Sequence, residues 1–299
     1  MTGHWSTWPE PWTSEAVRDP RDYAPLAFEV PEGACDSHMH VFGPTDKYKG
    51  VPEARYTAPK SDVDTYLATA DALHLQRMVF TQASFYATDN SYLLHALECV
   101  GNRGRAVVML PANADTKMID DFTHRGVVGL RLDLFKMAKM GFSSADVFVE
   151  VMKAAKIAKS AGWHVEIYSP GPYIRDLMDR FGDIPVEFSI NHMGYMTRAD
   201  VPEEDFVRFT RAIRNERCWV KLCGSYRISK YDNDTTADDM AKALVAACPD
   251  RLVWGSDWPH IPICSLDTSA LLNKLADWAP DDAARKKILS DNPARLYGF

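Results

Sequence analysis

The chain has 299 residues, 25% of them charged, and a formal net charge of −7 at pH 7. That length suits one large α/β domain or two small ones and leaves ample chain to bury a core. Its 34 lysines and arginines are scattered among 41 acidic residues, which excludes the clustered basic footprint of a nucleic-acid binder, and six cysteines without a C-x-x-C pair exclude a disulfide framework. No segment is apolar for long enough to be a membrane span or the core of a signal peptide, so a soluble cytoplasmic protein with no membrane partner is expected.

Residues 1–30 read as an irregular extension, with Trp5, Trp8, Pro9, Pro11 and Trp12 among charges and too little apolar pattern to fold alone. Such an arm packs on its own domain or on a second copy of the chain, so a homodimer is one expected arrangement. From residue 34 onward, short apolar runs alternate with longer amphipathic ones. The first run, 34–42, contains Asp36-Ser37-His38-Met39-His40, and on a strand His38 and His40 share one face. Further strand patterns follow at 77–84, 105–111, 127–134, 164–169, 186–192, 219–224 and 252–257. Between them, helical patterns with apolar residues at three- and four-residue spacing fall at 63–75, 91–100, 145–161, 203–216 and 236–248. Strand-then-helix alternation over eight units predicts a parallel sheet closed on itself, a single-domain (β/α)8 TIM barrel over residues 31–299. No fixed-period repeat or low-complexity tract interrupts it.

In such a barrel the chemistry sits at the carboxyl ends of the strands. The first run ends with His38 and His40, the second with Gln82 and Ser84, the fourth carries Arg131 and Asp133, and the fifth Glu166 and Tyr168. The sixth ends in Asn191-His192-Met193-Gly194 and the eighth in Gly255-Ser256-Asp257-Trp258-Pro259-His260. Singly these have plain explanations: Asp257 before Trp258-Pro259 suits an Asx turn, and His192 alone suits a buried ring bonded to a carbonyl. Together, His38, His40, His192 and Asp257 converge on the barrel axis. Such a set forms the ligand sphere of one mononuclear zinc ion with room for water, or does acid–base work with no metal. A second metal is not expected, because the fourth strand offers the cation Arg131 where a bridging anion is needed. Burying Arg131 inside an apolar run is expensive unless it meets an anion, so the expected partner is a small carboxylated or sulfonated substrate. Tyr56, Ser84, Tyr86, Tyr168 and Arg227 are the further candidate donors.

Several segments carry a resemblance in combination. They are Gly33-Ala34-Cys35-Asp36-Ser37-His38-Met39-His40-Val41-Phe42-Gly43-Pro44, Gln82-Ala83-Ser84, Thr88-Asp89-Asn90, Gly129-Leu130-Arg131, Gly162-Trp163-His164-Val165, Asn191-His192-Met193-Gly194, Trp254-Gly255-Ser256-Asp257-Trp258-Pro259-His260 and Asn292-Pro293-Ala294-Arg295-Leu296-Tyr297. From about Gly33 to the C-terminus the chain resembles the amidohydrolase superfamily, and within it the branch of 2-pyrone-4,6-dicarboxylate lactonase and 4-sulfomuconolactone hydrolase. The resemblance implies a (β/α)8 barrel that hydrolyses the lactone ring of a small polyanion from aromatic-compound breakdown. Position by position, His38, His40, His192 and Asp257 match that family's catalytic or metal-binding set, and Ser84, Arg131, Tyr168, Arg227 and Tyr56 match its substrate contacts. Some members of the family need a zinc ion and others work without one.

Two departures bear on the substrate. Pyrone-dicarboxylate lactonases place a further arginine where this chain has Lys136-Met137, and they tend to carry a histidine where it has Tyr86. Losing one carboxylate clamp favours the sulfonated muconolactone, or another anionic lactone, over the pyrone dicarboxylate. The expected chemistry has Asp257 take a proton from the water that attacks the lactone carbonyl. The alternatives on the same barrel are metal-dependent decarboxylation of a small unsaturated acid and isomerisation of a sugar-acid lactone. A barrel kept only for binding has no physical need of the His38, His40, His192 and Asp257 set.

Overall fold

The structure, a computed structural model, describes residues 14–198, 201–229 and 235–299. Its eight strands are β1 Cys35–Met39, β2 Arg77–Thr81, β3 Gly104–Val108, β4 Val127–Asp133, β5 His164–Tyr168, β6 Phe188–Ile190, β7 Cys218–Leu222 and β8 Leu252–Trp254. They pair in chain order, and every pair is parallel. The ring closes just beyond β8: the Asp257 N–H donates to the His38 carbonyl at 2.8 Å, the His40 N–H donates to the Trp258 carbonyl at 2.8 Å, and Met39 bridges Trp258 in parallel. This is the expected (β/α)8 barrel.

The helices are α1 Val63–Ala72, α2 Ser91–Val100, α3 Thr116–His124, α4 Leu134–Lys139, α5 Ser144–Ala161, α6 Gly171–Leu177, α7 Glu203–Asn215, α8 Thr236–Ala247, α9 Thr268–Trp278, α10 Asp282–Lys286 and α11 Asn292–Tyr297. Their starts follow local chemistry. Asp62, Asp115 and Asp267 accept from backbone amides of the first turns of α1, α3 and α9, and Ser143 with Asp146 forms a capping box on α5. Along α5, Val147, Phe148, Val151, Ala154, Ala155 and Ala158 are buried at helical spacing, so one stripe packs on the sheet while the rest meets solvent. Among the described residues no helix is long and apolar enough to cross a membrane.

Strands β1, β6 and β8 are shorter than their apolar runs. The β1–β2 ladder slips register between Asp36 and Met39, a bulge that re-aims the side chains after it. At the foot of the barrel Cys35, Val79 and Val107 pack with Tyr297 of α11. Of the N-terminal arm, Trp5, Trp8 and Trp12 lie outside the described residues. Residues 14–27 lie along the segment that follows β8: Glu15 and Arg18 amides donate to the carbonyls of Pro262 and Cys264, and Ala24 and Ala27 amides to the side chains of Asp267 and Asn273. The Tyr23 hydroxyl bridges Thr69 and Thr268.

Candidate active site

Close approaches of backbone put the four converging residues in place. After β6 the chain enters the left-handed region at His192 (φ 51°), Met193 and Gly194, a conformation that side-chain-bearing residues adopt only where surrounding contacts hold them. Gly224, also at positive φ, passes so near that a Cβ there would lie 2.5 Å from His192 Nδ1. Asp257 (φ 60°) turns the same way beyond β8. Gly255 passes β1 so closely that a Cβ would lie 2.6 Å from His38 Cβ and 2.8 Å from the His38 backbone nitrogen. Only glycine fits there.

The His38 ring lies 5.0 Å from that of His40 and 5.1 Å from that of His192, centroid to centroid. Asp257 Oδ1 is 3.6 Å from both His38 Nε2 and His40 Nε2. Its Oδ2 accepts from the Tyr226 hydroxyl at 2.6 Å and from Arg227 Nε. Among the described residues, His38 Nε2 and Asp257 Oδ1 are buried with no hydrogen-bond partner, the condition of groups that face a ligand. One donor atom from each of His38, His192 and Asp257 falls within 4.8 Å of the others. His40 stands beside this triplet, outside it, its Nδ1 bonded to the Thr81 carbonyl at 2.8 Å. Two imidazoles and a carboxylate with space for a further ligand match the donor set of catalytic metal sites.

Burial sets the protonation states. It pushes His38 well below its ordinary value, helped by Lys221, lowers His40, and takes His192 down to about 3. All three rings are neutral at pH 7. Burial alone would raise Asp257, but the Arg227 guanidinium and His192 outweigh it and hold the carboxyl well below the usual carboxylate range.

The cationic side of the site is Arg131. It is buried, its guanidinium lies 4.9 Å from the Tyr168 ring centroid, and its Nε and Nη1 have no hydrogen-bond partner among the described residues. Its salt-bridge neighbour is Glu166, whose Oε1 is 3.8 Å from Nη1. Glu166 is already engaged: Lys221 Nζ donates to Oε2 at 2.5 Å and Asn191 Nδ2 to Oε1 at 2.8 Å. Burial would raise the Glu166 carboxyl, but Lys221 and Arg131 bring it down to about 2.

A narrow cleft opens above this cluster, and His40, Tyr56, Ser84, Arg131, Tyr168, His192, Arg227 and Asp257 all line it, with Arg55 and Ile261. His38 lies in the cluster beneath. Tyr86 does not reach the cleft: its hydroxyl accepts the Gly43 amide at 3.0 Å and its ring packs against Phe42 and Phe85. Sequence reasoning missed Arg55, Tyr226, Lys221 and Cys223, whose Sγ is 3.2 Å from His192 Nδ1, and gave Glu166 no task. The available signal was a lysine inside the otherwise apolar run Cys218–Leu222.

Comparison with known proteins agrees with this arrangement. The amidohydrolase family model matches residues 35–299. The 4-sulfomuconolactone hydrolase of Hydrogenophaga intermedia is 31% identical over 282 residues, covering 92% of this chain and 91% of its own. The 2-pyrone-4,6-dicarboxylate hydrolase of Comamonas testosteroni is 31% identical over 286 residues, covering 90% and 92%. A solved apo structure from Agrobacterium tumefaciens superposes with a TM-score of 0.77 at 24% identity, over 90% of this chain and 97% of that one, and so shares the fold. With its barrel, its strand-end cluster and a family match running from Cys35 to the last residue, the chain belongs to the amidohydrolase family.

Proposed function

We propose that the protein hydrolyses the ring of a small anionic lactone, such as 4-sulfomuconolactone or 2-pyrone-4,6-dicarboxylate, in the breakdown of aromatic compounds. The observation that carries this reading is a buried arginine, Arg131, two of whose nitrogens have no hydrogen-bond partner among the described residues, in the same cleft as an ionised carboxylate set among neutral imidazoles. The names of the two curated relatives point to the same reaction. A reducing, cytoplasmic setting belongs to the proposal, since all six cysteines are unpaired.

Each side chain then has a task. Arg131, stacked on Tyr168, takes the remote acid group, and Ser84 and Tyr56, whose hydroxyls lie 3.4 Å apart, add donors. This anchoring turns the lactone carbonyl toward Asp257. Arg227 lines the cleft, but its Nε is bonded to Asp257, so its first task is to fix the base. Asp257 Oδ1, which has no hydrogen-bond partner among the described residues, accepts a proton as water adds to the carbonyl carbon. The ring C–O bond then breaks, the departing oxygen recovers the proton held by Asp257, and the new carboxylic acid ionises, releasing the second proton of the water to solvent. His38, His192 and Asp257 fit a divalent cation, with zinc the expected one for this donor set. Such an ion supplies Lewis-acid stabilisation of the charge that develops on the carbonyl oxygen. Without it, imidazole N–H groups face the same charge.

The test is a pH-stat screen of anionic and neutral lactones, before and after chelator treatment. Acid release from an anionic lactone, absent with neutral analogues, is the expected result. Activity lost to the chelator and restored by zinc assigns the metal, and activity that survives assigns the histidines. Carbon dioxide from an unsaturated acid, or an isomeric lactone as product, overturns hydrolysis in favour of a lyase or an isomerase.

A further inference from the structure

We propose that Lys221 is a positioning residue that decides what His38 offers to the cluster it forms with His192 and Asp257: a proton on Nε2 while Lys221 holds Nδ1, or a bare Nε2 when Glu166 takes Nδ1 instead. The inference rests on the lactone-opening reading for its consequence in catalysis, but it is measured independently of any lactone.

Lys221 lies on β7 inside the barrel, fully buried. An ammonium group has three hydrogens, and here three acceptors surround it: Glu166 Oε2 at 2.5 Å, the Ser37 carbonyl at 2.7 Å and His38 Nδ1 at 3.3 Å. The third contact separates this lysine from a merely structural one. A neutral imidazole that accepts at Nδ1 carries its proton at Nε2. That nitrogen faces Asp257 Oδ1 at 3.6 Å, so its proton is aimed at the carboxylate proposed as the base.

Histidines that bind metal have the opposite arrangement, donating their second N–H to a carboxylate or carbonyl. The acceptor for that state is also present, because Glu166 Oε1 lies 3.7 Å from the same Nδ1. The Thr81 hydroxyl, 3.4 Å from Nδ1, can donate or accept and so favours neither state. Stability gives little reason to bury this pair, since well-packed apolar residues of similar volume commonly serve as well. Two alternative hydrogen bonds to one catalytic-site ring give a reason.

The test combines nitrogen-15 imidazole spectra of the metal-free protein with zinc affinity, measured by competition against a chromophoric chelator. In the wild type, His38 is expected in the Nε2–H form. Lys221→Met is expected to convert it to the Nδ1–H form and to tighten zinc binding about tenfold. Glu166→Gln is expected to keep the Nε2–H form and to weaken zinc by about tenfold, the scale on which partners of metal-ligating histidines act. A structural ion pair predicts that both variants shift zinc affinity in the same direction, and that outcome overturns the proposal. So does a wild-type His38 found in the Nδ1–H form, a result that stands even if Lys221→Met fails to fold. Opposite shifts in a protein that opens no lactone would overturn the functional reading and leave this one intact.

Discussion

In the proposed reaction Asp257 divides its two oxygens between holding and reacting. Oδ2 is fastened by Tyr226 and Arg227 while Oδ1 is left without a partner among the described residues, so the carboxylate is fixed without being consumed. Replacing it by Asn keeps the shape and removes the base. Asp257→Asn is expected to lower kcat by about 10²–10⁴-fold, the usual worth of a positioned acid–base group, with a small change in KM. Steady-state kinetics on the lactone found by the screen would show it, and near wild-type turnover would strip Asp257 of the role. The histidines and Asp257 were legible in the sequence because a polar residue at the end of an apolar strand run has few structural reasons to be histidine. Lys221 was not, because its partner Glu166 is 55 residues away and the two meet only inside a closed barrel. Tyr86 was harder to place for a related reason: nothing in its neighbourhood reveals that its hydroxyl accepts the Gly43 amide.

At the level of elements, the end of β8 depends on a missing side chain. Gly255→Ala would bring a methyl group into the backbone of His38, with 2.8 Å to its nitrogen, and backbone cannot swing aside as a side-chain tip can. The variant is expected to lose about 1–3 kcal/mol of stability, the range for overpacking, and to lose activity because β1 carries His38. Urea denaturation beside kinetics checks both, and a variant as stable as wild type would show that β1 and β8 are looser than described. The same crowding explains why strand ends were the least legible part of the fold. The apolar runs 186–192 and 252–257 continue past Ile190 and Trp254, but the left-handed residues His192 and Asp257 interrupt the regular ladder, which beyond β8 resumes only as the Asp257 amide bond and the Met39–Trp258 bridge. Strand number and order, by contrast, followed from β-branched runs alternating with helical spacing. Helix α3 offered only a short apolar stripe: Ile119 and Phe122 pack on the core, but none of its residues is buried outright.

Across the whole molecule, the interior is unusually rich in groups whose charge differs between folded and unfolded chain. His164 and His260 are each brought from 6.5 down to about 4 by burial, and His192 to about 3. In the unfolded chain these rings take up protons near pH 6.5, so their contribution is complete above that pH and is lost as pH falls toward 4 and below. Glu166, lowered from 4.5 to about 2, acts with the same sign at lower pH. Asp36, raised by burial to about 6, opposes them in part. The urea midpoint is therefore expected to fall between pH 7 and pH 4, and a flat or rising midpoint would mean that these imidazoles are not held neutral. One further consequence comes from the seam between β1 and β8. Asp36 accepts the Ser256 amide and hydroxyl across 220 residues of chain, and the His38–Asp257 contact spans the same seam. During synthesis the first strand must wait for nearly the whole polypeptide before it finds its neighbour. The His38, His192 and Asp257 cluster cannot exist in a nascent or truncated chain, so the candidate site comes into being only with the last act of folding.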